Sequence, residues 1–243
     1  MTFDEAKSAL SRKLNINYSD ISNNELFSDT ELGDAINLAA RQVWDLRFWD
    51  FTEHTWTGTL TAGLITAGYQ TLPTDMQPTT TQRLSIDDKR YKKLRFDQYK
   101  NLFEANSSST AKVYAEHQRN LFFNTNVAAD GDTIDITGKR RFTRLTTTSA
   151  LLPFSSVAAS ENSGDDLIVD LAYAELLDSE KKHDPTKAKQ VRTRAFGMLE
   201  NLWQQVSKGR AAEGDYDNPM LDVPDYFDGD GWTRQGRFKT QLN

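Results

Sequence analysis

Residues 28–61 read SDTELGDAINLAARQVWDLRFWDFTEHTWTGTLT, and a change of period inside them decides the fold. Ser28 and Glu31 have the spacing of a capping box. After them Leu32, Ala35, Ile36, Ala39, Val43 and Leu46 recur at three- and four-residue steps, which predicts an amphipathic helix to about Phe48. From His54 the grammar changes: Trp56, Thr57, Gly58, Thr59, Leu60 and Thr61 are β-type residues, ended by Ala62-Gly63. Between the two regimes, Trp44–Phe51 packs four aromatics into eight residues. Such a cluster serves either as a stacking platform for a ligand such as a sugar, or as the hinge core between helix and sheet, and the second reading is the commoner.

Working outward, Thr2 and Glu5 form a second capping box, opening a helix with Phe3, Ala6, Leu10 and Leu14 on one side. Asn15–Phe27 reads as a loop. Beyond the hinge come short runs separated by turn residues: Tyr69–Leu72, Thr79–Ile86, Tyr91–Leu94, a hairpin of Lys112–His117 with Asn120–Asn124, and Thr133–Thr137. Asp97 is placed to cap a short helix to Glu104. The helical period returns at Asp165, with Leu167, Ile168, Leu171, Ala172 and Leu176 on a helix to about Lys182. Asp184 caps the next helix and Pro185 starts it. Its expected apolar face is Ala188, Val191, Ala195, Met198, Leu199, Leu202 and Val206, and Gly209 ends it. The connector His183-Asp184 is short enough to force the two helices antiparallel.

The expected fold is α+β: an antiparallel helical bundle of two N-terminal plus two C-terminal helices, with an inserted small antiparallel β-sheet domain and an extended C-terminal arm. The corresponding boundaries are 1–53, 54–155, 156–209 and 210–243.

The chain has 243 residues, 29 Lys and Arg, 35 Asp and Glu, a net charge of −6 and a pI near 5.2. Its 13 Phe, 8 Tyr and 5 Trp argue against a disordered protein. No apolar run approaches the roughly 20 residues of a membrane helix, and MTFDEAKSAL lacks the pattern of a signal peptide. The absence of cysteine removes disulfides, thiol nucleophiles and sulfur-ligated metals. Charge is uneven: net −5 over 1–53, +4 over 54–155, −2 over 156–209 and −3 over the last 34 residues. A nucleic-acid binder concentrates basic charge. Here the densest cluster is only Lys139, Arg140, Arg141 and Arg144 around Phe142, expected as the solvated edge of a strand.

Catalytic chemistry finds little support. His54, His117 and His183 stand far apart, without metal-ligand spacing, and no nucleophile elbow, phosphate loop or HExxH helix is present. No cofactor, metal or catalytic residue is assigned. Asp225–Gly231 resembles part of a calcium loop, but the first ligand position falls on Tyr226 and Arg237 stands where the closing Glu belongs, so a plain turn is the better reading. The arm beyond Gly209 carries isolated aromatics among glycines and prolines, a composition suited to docking as an extended peptide. Trp232, Arg234, Arg237 and Phe238 are its candidate partner-binding anchors.

The N-terminal amphipathic helix, the run Ala35–Asp45 leading into Trp49-Asp50-Phe51, Thr59–Gly63, Tyr69–Asp75 and the closing 165–206 helix pair together resemble the head-to-tail adaptor (head completion) proteins of tailed bacteriophages, of the short-tailed type. The resemblance covers most of residues 1–209. It implies a non-enzymatic virion protein of the tail or neck, assembled in the host cytoplasm. It also implies a homo-oligomeric ring, usually a dodecamer, joining the portal protein to tail nozzle or tail-fibre proteins, with genomic DNA passing through unbound and no membrane partner. Two rivals come from other classes: a carbohydrate-binding module of a tail appendage, using exposed Trp49 or Trp56, and a hydrolase with dispersed carboxylates.

Overall fold

The computed structural model describes residues 1–18, 26–156 and 163–212. Both capping boxes are formed: Thr2 and Ser28 accept from the backbones of Glu5 and Glu31, whose carboxylates bond back. They open α1 (Phe3–Leu14) and α2 (Asp29–Leu46). The C-terminal pair is α5 (Ser163–Asp178) and α6 (Pro185–Ala212). Helix α5 packs against both α1 and α2. It is buried almost all round, Val169, Tyr173 and Leu177 included, as a central helix must be. Ion pairs brace this layer: Lys7 with Asp29 at 2.8 Å, Lys13 with Asp170 at 2.8 Å and Lys181 with Glu31 at 2.6 Å. Among its described side chains, helix α6 buries the stripe Ala188, Ala195, Leu199 and Trp203; Met198, expected inside, is 43% exposed.

The expected architecture is overturned by the sheet. It is not a small insertion in a helical bundle but the dominant element: one curled sheet of seven strands in the order β1-β7-β3-β4-β5-β6-β2. The strands are β1 Glu53–Thr59, β2 Tyr69–Thr71, β3 Arg83–Ile86, β4 Lys89–Lys93, β5 Val113–His117, β6 Asn120–Phe123 and β7 Thr133–Lys139. Nor is it wholly antiparallel, because β4 and β5 run parallel and join its two halves. The physical reason is range. Residues 53–59 pair with 139–133, a register no local pattern announces. Only the two hairpins are locally specified. Asp87-Asp88 (φ 50° and 58°) and Gln118-Arg119 (φ 47° and 63°) are two-residue turns with both residues left-handed, the twist that tight hairpins require.

The curled sheet encloses its own core, with Leu60, Leu72, Met76, Leu84, Tyr114 and Phe123 among its most deeply buried side chains. Two short helices dress it. Helix α3 (Ala62–Ala67), capped by Thr61, replaces the turn expected at Ala62-Gly63. Helix α4 (Phe96–Ala105) starts after Arg95 rather than being capped by Asp97.

Met1–Trp203 form one compact unit, and α6 continues past Gly209 to Ala212. Residues 213–243 lie outside the described residues, and with them the arm, its anchors Trp232, Arg234, Arg237 and Phe238, and the Asp225–Gly231 turn.

Candidate interaction surfaces

After β7 the chain turns back along the helices. The Phe3 amide donates to the Ala150 carbonyl at 2.7 Å, and that of Leu152 to the Met1 carbonyl at 3.0 Å. Buried Asn37 on α2 bonds the Leu145 backbone in both directions, at 3.1 and 2.7 Å. Buried Asp165 on α5 accepts from the Phe154 amide at 3.2 Å and from the N-terminal ammonium at 3.0 Å. This return segment, with α2, makes the first candidate surface.

The basic cluster lies here, and not on a solvated strand edge as its composition suggested. Lys139 ends β7 only 5% exposed, its ammonium donating to the Arg47 carbonyl at 3.1 Å. Burial pushes this ammonium down to about 8, against a smaller opposing pull from Asp45. Arg144 pairs with Asp34, and Arg140 lies 4.0 Å from Asp75. Lys139 and Arg144 therefore tie the end of β7 and the return segment to the helices, while Arg140, Arg141 and Arg144 stay exposed.

The aromatic hinge is core. Trp49 is 1% exposed and its indole donates to the Val43 carbonyl at 2.8 Å. Phe51 stacks on it at 5.8 Å, while Phe154 and Trp203 meet it edge-on at 5.2 and 5.4 Å. Trp44 packs against Phe51 and Phe142 and donates to the Arg140 carbonyl at 2.7 Å. Trp56 is half-buried against the sheet core and donates to Asp75 at 2.9 Å. A sugar platform built on Trp49 thus has no accessible ring face.

A second surface went unseen in the sequence: an aromatic patch between α4 and the strands beneath. Phe96 stacks on His117 at 4.2 Å and 5°, and Phe122 lies 5.0 Å from Phe96 and 5.5 Å from Tyr69, itself 36% exposed. The Tyr99 hydroxyl donates to the Phe123 carbonyl at 2.9 Å, and burial pushes its phenol up to about 12. The spacing Phe96, Tyr99, Phe103 was the available signal, one helix face reading i, i+3, i+7.

The three histidines remain apart. His54 meets the Trp56 ring edge-on, His117 stacks as above, and His183 lies in the α5–α6 connector. Among the described residues no group of three or more His, Asp or Glu is placed to hold a metal ion, and no helix is long and apolar enough to cross a membrane.

A protein-family model described as SU10 adaptor protein matches residues 1–220. The chain belongs to the SU10 adaptor protein family. No individual curated protein matches it. The adaptor family is one of structural bacteriophage proteins and not a known enzyme family; membership implies a component of the virion neck that interacts with portal and tail.

Proposed function

We propose that this adaptor assembles as a closed ring, of twelve copies, that joins the portal to the tail nozzle or tail fibres and continues the DNA channel. The observation that carries the reading is the family match over residues 1–220. The net charge of −6 supports it, since a chain without a concentrated basic footprint retains passing DNA little. The chain divides functionally into helices 1–53, the strand-rich 54–155, the helix pair 156–209 and an arm 210–243, whose Trp232, Arg234, Arg237 and Phe238 anchor it to the portal. Assembly takes place in the host cytoplasm.

Native mass spectrometry of the full chain with and without portal rings tests the ring. A ring-sized assembly on the portal is expected, and a persistent monomer in both samples overturns it. Truncation after Ala212, the last described residue of α6, then tests the arm. Loss of portal pull-down is expected, whereas wild-type occupancy transfers docking to the folded part.

A further inference from the structure

Helix α2 and the return segment enclose an open groove of about 600 Å³. Leu38, 42% exposed, forms its apolar floor together with half-buried Phe142. Both acidic residues of the lining are already paired, Asp34 with Arg144 and Asp45 with Arg41 at 3.6 Å. The Arg141 guanidinium has no partner among the described residues, its backbone amide alone being engaged, by Asp75. The groove therefore offers an apolar strip beside an uncompensated guanidinium. That combination fits an extended peptide carrying an aromatic next to a carboxylate, because a guanidinium grips a carboxylate with two parallel bonds.

The chain itself holds such a peptide. Thirty-one residues follow Ala212, and residues 213–230 contain seven carboxylates and no Lys or Arg, with Tyr226-Phe227 set between Asp225 and Asp228. Extended, the fourteen residues that follow Ala212, as far as Tyr226, span up to about 45–50 Å, enough to reach an adjacent copy. We propose that the α2 groove of one copy receives the acidic segment 215–230 of a neighbouring copy, Arg141 holding a carboxylate while Leu38 and Phe142 pack Tyr226-Phe227. Such a contact joins two different patches, the head-to-tail kind from which rings close. It rests on the ring reading above and leaves the basic tip, Trp232–Phe238, to reach the portal.

The chain has no cysteine, so single replacements report cleanly. Two full-length variants, Leu38→Cys and Tyr226→Cys, are mixed, assembled on portal rings and oxidised. The expected product is a disulfide-linked heterodimer, about tenfold more abundant than a dimer of either variant alone. Adding Arg141→Glu to the Leu38→Cys chain lowers its yield about tenfold. Ring-sized particles without the heterodimer overturn the latch and leave the ring standing. Absence of ring-sized particles overturns the proposed function and the latch together. A double-cysteine chain, diluted with wild type before assembly, that closes an intrachain disulfide instead assigns the groove to its own tail and overturns the neighbour contact.

Discussion

The helical layer and the curled sheet are built from equally ordinary sequence, yet only one of them announces itself. In α1 and α2 the buried side chains follow the 3.6-residue period, and each helix carries its own start signal in Thr2–Glu5 and Ser28–Glu31. In the sheet, outside the two tight hairpins, the strands obtain their positions from partners far along the chain, as β1 does from β7. Periodicity specifies which face is buried; it does not specify how many strands share one sheet.

The largest effect is expected from separating the two regions. His54 and Gly138 are paired neighbours, so about four Gly/Ser residues suffice to replace residues 55–137 while keeping the return segment on the helices. Cooperative helical unfolding by circular dichroism should survive. Its complete loss makes the two regions one core.

Point variants sharpen the contrast. Leu171→Ala, at a site 2% exposed in α5, and Leu84→Ala, at a fully buried site in β3, should each cost about 2–5 kcal/mol in chemical denaturation. A cost below 1 kcal/mol at either position displaces it from its core.

At the junction, Lys139→Met should stabilise. The folded value near 8 lies below the ordinary 10.5, so burying the cation costs stability in full below pH 8. The gain at pH 7 is up to about 3 kcal/mol and fades as pH rises from about 8 toward 10.5, where wild type sheds the charge. A gain unchanged at pH 10 removes the ammonium as its cause.

Ser28→Ala should cost about 1 kcal/mol through loss of the cap. Hydrogen bonds from Lys181 and from the Ser28 backbone hold Glu31 down at about 2. Its contribution is therefore complete above about pH 4.5 and lost as pH falls toward 2, and Glu31→Gln should flatten that limb of the pH–stability profile. The smallest effect belongs to Met198→Ala, below about 0.5 kcal/mol, against a severe loss for its buried neighbour Leu199→Ala. Equal losses at 198 and 199 restore the wider apolar face.

That last pair marks a limit of pattern reading. Val191 and Met198 satisfy the period of α6 but fall at the margin of the stripe that its described side chains bury, Ala188, Ala195, Leu199 and Trp203. Trp49 was legible as hinge core because aromatics at a helix–strand handover have few other places to go. The α2 groove was not, since Leu38 and Phe142 meet only when the chain returns about a hundred residues later. Lys139 was misread for the same reason: a basic run looks solvated until its strand ends under a helix.

The central position of α5 also sets an order of birth. Its partners α1 and α2 are synthesised by residue 46, but α5 is complete only at residue 178. At ribosomal speeds of about 5–20 residues per second, their apolar faces wait roughly 7–25 s for the helix that covers them. All seven strands, lying between residues 53 and 139, emerge during that interval. The nascent adaptor thus completes its sheet first and carries two uncovered helices behind it, an invitation to chaperones and, at high expression, to aggregation.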